Sequence, residues 1–87
     1  MIDIKSLKAQ AHHLKPIILI GHKGVTDSLL QEANIALTTH ELIKIKSPSL
    51  PKVEKVALFQ QICEALSAIL VQHIGNIATI YRKNNDK

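Results

Sequence analysis

Apolar residues recur at three- and four-residue spacing from the start of the chain, at Ile4, Leu7, Ala11 and Leu14. This spacing predicts an amphipathic first helix, ending where Lys15 precedes Pro16, because the residue before a proline is driven out of the helical region. Ile17, Ile18, Leu19 and Ile20 follow without a polar interruption. Such a run predicts a strand covered on both faces, as in a parallel or mixed sheet. Gly21-His22-Lys23-Gly24 breaks it. Thr26 then reads as the N-cap of a second helix, with Asp27 in the dipole-favoured first turn. Leu29, Leu30, Ala33, Ala36 and Leu37 form its apolar face, and it should end near Thr39-His40. From Leu42 to Lys46 apolar residues and lysines alternate, which predicts a half-exposed strand with Lys44 and Lys46 on its outer side.

Ser47-Pro48-Ser49-Leu50-Pro51 reads as a loop. A third helix follows, carrying Val56, Phe59, Cys63, Leu66 and Leu70 at helical spacing, although residues 69–71 also read as strand. Residues 69–74 and 77–82 predict two strands around Gly75-Asn76, where glycine in first place suits a type II′ hairpin turn. The order is α-β-α-β-α-β-β. It predicts an α/β (α+β two-layer) fold in one domain spanning residues 1–87, with no internal repeat, low-complexity tract or linker. At 87 residues, one core leaves little room for a deep enclosed pocket.

Charge changes the picture through its distribution. Eleven Lys and Arg against seven Asp and Glu give +4. Residues 1–23 carry +3, residues 24–41 carry −3, and residues 42–55 again carry +3. The first helix, the glycine loop and the second strand therefore hold the positive field, while the second helix is acidic. Such polarity can orient a small domain on a polyanion, although surface lysines are also ordinary solvated side chains. Phe59 and Tyr81 are the only aromatic residues, which argues against stacking successive bases on an aromatic sheet face. Any nucleic-acid contact should run through phosphates. Cys63 is alone, so no internal disulfide or cysteine metal cage is expected. The N-terminus lacks a signal-peptide pattern, and no apolar run is long enough to span a membrane, so a soluble cytoplasmic protein is expected.

Gly21-x-x-Gly24 between a predicted strand and a predicted helix has two readings. It is a tight turn that needs glycine, or it is a loop whose backbone approaches a phosphate while Lys23 adds charge and His22 a hydrogen bond. It is neither a Walker A loop nor a dinucleotide-binding fingerprint. The five histidines form no HExxH or Cys/His quartet pattern, and His12 and His13, being adjacent, diverge on a helix. His40 and Glu41, adjacent in an expected strand, would point to opposite faces. Cys63 falls on the apolar face of the third helix and reads as a core thiol. No nucleophile–base constellation stands out, so no catalytic residue, metal or cofactor is expected.

Three segments together resemble a known family, the CRM domain (chloroplast RNA splicing and ribosome maturation). They are Ala11-His12-His13-Leu14-Lys15-Pro16 with the strand and Gly21-His22-Lys23-Gly24-Val25-Thr26 after it, His40-Glu41-Leu42-Ile43-Lys44-Ile45-Lys46, and Ile74-Gly75 with Tyr81-Arg82. The similarity covers about residues 5–83, and the short stand-alone form is similar to bacterial YhbY-type proteins. The resemblance implies a four-stranded mixed sheet, similar to the C-terminal domain of translation initiation factor three. It also implies a GxxG loop comparable to that of KH domains and binding of structured RNA, with the bacterial members associating with precursors of the large ribosomal subunit. Carried over by position, the RNA-binding residues would be Gly21, His22, Lys23 and Gly24, flanked by Lys5, Lys8, His12, Lys15, Lys44 and Lys46. Bacterial members often carry a longer basic or proline-containing tail after the Tyr-Arg. Here the chain stops at Lys87, a departure from that pattern which puts RNA contact by such a tail in doubt.

The leading expectation is a non-enzymatic RNA-binding protein of large-subunit assembly, a monomer without small-molecule substrate. A second is a protein-interaction module whose basic face meets an acidic partner. A third is a small enzyme using the loop for a phosphorylated substrate, against which the limited pocket volume and missing catalytic constellation weigh.

Overall fold

A computed structural model describes residues 3–84 of the chain. The elements run α1 (Ile4–Ala11), β1 (Pro16–Leu19), α2 (Asp27–His40), β2 (Leu42–Lys46), α3 (Lys52–Leu66), β3 (Ile69–Ile74) and β4 (Ile77–Tyr81). The α-β-α-β-α-β-β order is the one the periodicity predicts. The sheet order is β1-β2-β4-β3. β1 and β2 pair in parallel, while β2–β4 and β4–β3 are antiparallel, so the sheet is mixed.

Local chemistry sets the boundaries. Asp3 caps α1 by accepting the Ser6 amide at 3.3 Å. Thr26 caps α2 by accepting the Leu29 amide at 3.1 Å, as its position before the helix predicts. α3 closes through Ser67 at φ 55, with the Ala68 amide donating to the Cys63 carbonyl at 2.9 Å. This left-handed residue ends the helix before Leu70, which belongs to β3. Gly75 takes φ +58 while Asn76 stays outside the left-handed region, the sign pattern of a type II′ hairpin.

Alternation along the strands gives the sheet two unlike faces. On one, Ile18, Ile43, Ile45, Ala78 and Ile80 meet Leu29, Ala33 and Leu37 of α2 and Phe59, Ile62 and Cys63 of α3. Phe59 is fully buried and meets the His73 ring edge-to-face at 4.9 Å. On the other face, α1 sets Leu7 and Ala11 on Leu42, Val71 and Tyr81. This second cluster sits only at the end of the sheet where β2 begins and β4 ends.

Four local expectations need correction. β1 is an edge strand, and only Ile18 and the following Ile20 are buried. Ile17 and Leu19 are 49% and 68% exposed, because α1 does not reach over β1 on their face. The apolar run reflects one buried face and one open one. α1 ends at Ala11, with His12 as C-cap, so the Leu14 end of the predicted helix is a turn leading into Pro16. Leu70 is not part of the α3 stripe, for the reason given above. Glu41 is not in a strand: it caps α2 at φ 64, and its carboxylate accepts the Asn84 amide at 2.7 Å.

Candidate nucleic-acid interface

Register places the exposed face of the sheet in rows. Lys44 of β2 lies opposite Thr79 of β4, and Thr79 opposite Gln72 of β3. The next row runs from Leu19 through Lys46 and Ile77 to Ile74. Directly paired residues share a face, so both rows point to the side on which α1 packs. α1 covers the Leu42–Tyr81 end; beyond it Thr79 is still buried, Lys44, Gln72 and Ile77 are half-buried, and Leu19, Lys46 and Ile74 are exposed. At the α1 margin Lys8 and His12, one helical turn apart, look down on Lys44. These three and the hairpin residues Gln72, Ile74, Ile77 and Thr79 line a hollow of about 350 Å³ that contains no carboxylate.

The glycine loop continues from the same end of β1. The Ile20 amide donates to the Lys46 carbonyl at 2.9 Å, which ties the root of the loop to the end of β2. Gly21-His22-Lys23-Gly24 is a turn closed by the Gly24 amide on the Gly21 carbonyl at 3.0 Å. Gly24 has φ +73, which disfavours any side chain there. Gly21 has no such constraint, and a Cβ added to it would meet nothing within 4 Å. The turn explains one glycine and leaves the other sterically free. Among the described residues the His22 and Lys23 amides donate to no protein group, and both side chains are exposed. The α2 N-terminus contributes less than its position suggests. Thr26 already occupies the Leu29 amide, and Asp27 puts a negative charge in the first turn. A shallow depression of about 400 Å³ lies between the loop, Pro48, Leu50 and the α3 residues Glu54, Ala57 and Leu58.

The structure sorts the cations into two groups. Lys55 and Arg82 are committed inside the fold. The Lys55 ammonium donates to the Gly75 carbonyl at 3.1 Å and to Asn76 Oδ1 at 3.0 Å, fixing the hairpin turn to α3. The Arg82 guanidinium donates to Asn34 Oδ1 (2.7 Å), the Asn34 carbonyl (3.2 Å), Thr38 Oγ1 (3.0 Å) and the Leu66 carbonyl (3.1 Å). Asn84 adds a bond to the Thr38 carbonyl, so the segment after β4 is strapped to α2. By contrast Lys5, Lys8, Lys15, Lys23, Lys44, Lys46, Lys52 and Lys83 have no hydrogen bond or ion pair to any described residue; Lys52 lies apart on α3 and Lys83 beyond β4.

Of the ten residues proposed from sequence, Lys8, His12 and Lys44 converge in one hollow, and Lys46 joins it to the loop of Gly21, His22, Lys23 and Gly24. Lys5 extends the line along exposed α1. Lys15 lies apart: it lines a separate hollow with His13 and His40 at the opposite end of β1. Gln72, Ile74 and Ile77 were not among the predicted site residues. The Gly75-Asn76 turn accounts for the pairing of Ile74 with Ile77, but the β2–β4 pairing that sets Ile77 opposite Lys46, with Gln72 and Ile74 one strand farther, has no local signal.

No group of His, Cys, Asp or Glu among the described residues could hold a metal. Burial raises the Cys63 thiol to about 11, which keeps it neutral and unreactive near pH 7. No helix of the described residues is long and apolar enough to cross a membrane.

A sheet face lined by Lys8, Lys44 and Lys46 and joined to a strand–GxxG–helix loop defines a class of small α+β domain with a basic surface. The CRS1 / YhbY (CRM) domain model matches residues 3–82, and the chain belongs to that family. A Pseudomonas aeruginosa protein named a probable RNA-binding protein is 40% identical over 80 residues, covering 92% of this chain and 77% of that protein. A Haemophilus influenzae protein named RNA-binding protein is 38% identical, covering 92% and 81%. The fold is similar to the solution structure of a Staphylococcus aureus hypothetical protein described as a candidate RNA-binding protein. That match has a TM-score of 0.83 and 31% identity, and covers 98% of this chain and 92% of the other.

Proposed function

We propose that this protein binds structured RNA through the GxxG loop and the adjoining open face of the sheet. The observation that carries this reading is the separation of the cations. Those on the open face are free of internal partners, while Lys55 and Arg82 are used within the fold. The names of the relatives support the same reading. The RNA is ribosomal RNA within precursors of the large subunit, and the protein acts there as an assembly factor in the cytoplasm, not as an enzyme. Gly21 and the His22 and Lys23 amides approach a phosphate, Lys23 neutralises it, and Lys8, Lys44 and Lys46 hold the flanking backbone.

Lys23→Ala tests the reading. Removing one phosphate contact lowers the salt slope by about 0.9, a loss of about 5-fold in affinity at 0.15 M salt and about 15-fold at 0.05 M. Lys23 is exposed, so the melting temperature stays unchanged. Fluorescence anisotropy with a ribosomal RNA fragment at several salt concentrations reads both quantities. An unchanged slope removes the loop from the interface. Sedimentation of lysate tests the assembly role, with co-migration with large-subunit precursors expected and an entirely free pool counting against it.

A further inference from the structure

The open face carries more than a basic patch requires. Phosphate binding needs cations and amides, yet the hairpin end of the row beyond Lys44 is apolar, with Ile77 half-buried and Ile74 exposed. Ile74 is 66% exposed although it lies opposite Ile77 in the hairpin. Beside this pair, Gln72 offers an amide with two donors and an acceptor, and it makes no hydrogen bond to a described residue. Lys8 and Lys44 stand across the same hollow. Its volume of about 350 Å³ is near the lower end of the range of roughly 300–1,000 Å³ for small-ligand sites.

We propose that the hollow between α1 and the β3–β4 hairpin is a nucleotide site that takes one unstacked nucleotide of a single-stranded RNA segment. The base lies flat on Ile74 and Ile77, its polar edge meets the Gln72 amide, and its phosphate meets Lys8 and Lys44. Lys44 and Gln72 share one cross-strand row, on either side of Thr79, and the Ile74–Ile77 pair lies in the next row, so a base on that pair has the amide at one edge and the lysines across the hollow. A base stacked inside a duplex cannot reach such a floor, so the site selects loops or ends. An acidic peptide would satisfy the lysines but has no use for a flat apolar floor beside an amide. This inference rests on the RNA-binding reading above and adds base contact to a surface otherwise limited to phosphates.

The test follows backbone amide NMR shifts of the full chain during titration with four probes. These are a single-stranded RNA hexamer, the same hexamer without bases, a duplex of equal length and a poly-glutamate peptide. The intact hexamer is expected to shift residues 72, 74, 77 and 79 as well as 21–24. The abasic hexamer and the duplex should shift only the loop and the lysine positions. Gln72→Ala and Ile74→Ser, both at solvent-accessible positions, should weaken the intact hexamer about 3- to 10-fold, because an aliphatic floor holds a base less strongly than an aromatic one. Neither should change duplex affinity. Equal affinity for intact and abasic hexamers, shifts confined to 21–24, or hairpin shifts produced by the peptide instead of the hexamer each overturn the site. If loop shifts persist while the hairpin stays silent, the RNA-binding reading stands without the nucleotide site. If no RNA binds at 0.05 M salt, both fall.

Discussion

The two glycines of the loop look equivalent in sequence and are opposites in structure. Gly24 has φ +73, so Gly24→Ala forces a β-carbon into the left-handed region at a cost of roughly 1–2 kcal/mol. Loss of unfolded-state freedom returns about 0.4–1 kcal/mol, leaving a net loss of about 1 kcal/mol. For a chain of this size that lowers the melting temperature by roughly 4–8 °C. Gly21 lies outside the left-handed region and its added methyl meets nothing within 4 Å. Gly21→Ala should therefore keep the wild-type stability or gain a few tenths of a kcal/mol. If the Gly21 backbone approaches a phosphate, that same methyl displaces the contact, with a loss of about 5-fold in RNA affinity at 0.15 M salt. Thermal unfolding followed by circular dichroism, with anisotropy titrations on the same samples, separates the two effects. A Gly21→Ala protein that melts normally and binds with wild-type affinity and salt slope would reduce the loop to a turn. One that melts as low as Gly24→Ala would contradict the steric freedom assigned to Gly21.

Other outcomes follow from the same structure. Arg82→Ala removes four donated bonds to Asn34, Thr38 and Leu66, and should cost about 2 kcal/mol, or roughly 8–16 °C in melting temperature, with RNA affinity of the folded protein nearly unchanged. Lost RNA affinity at an unchanged melting temperature would instead make Arg82 an RNA contact. Cys63 is neutral in the fold up to about pH 11 but ionises earlier once unfolded, so its contribution to stability is whole below pH 9 and is lost as pH rises from about 9 to 11. Urea unfolding at pH 8 and pH 10 should show a larger alkaline loss for wild type than for Cys63→Ala. An equal loss in both would remove the thiol from the account.

Much of the fold was legible because its signals are local. Thr26, placed just before an apolar periodic run, caps α2, and Gly75-Asn76 turns the hairpin as the spacing predicts. The alternation of Leu42–Lys46 correctly separates Ile43 and Ile45 from Lys44 and Lys46. Errors came where coverage depends on distant elements. The apolar stretch of β1 cannot say whether a helix lies over each of its faces, and α1 stops short of one of them. Ser67 and Glu41 adopt left-handed φ without glycine, so neither boundary carries a residue signal. Arg82 and Lys55 look in sequence like any other surface cation, and only their tertiary partners commit them to the fold.

By itself the sequence determined the element order, the buried stripes of α2 and β2, the GxxG loop and the excess of positive charge. These depend on spacing, propensity and composition, all of which act over a few residues. The tertiary structure alone decided which lysines share a surface and which are consumed internally. Strand order sets Leu19, Lys46, Ile77 and Ile74 in one row, although they come from positions between 19 and 77 of the chain. Charge and apolar area become a binding face only when pairing brings them side by side, and that pairing is a property of the whole packed sheet.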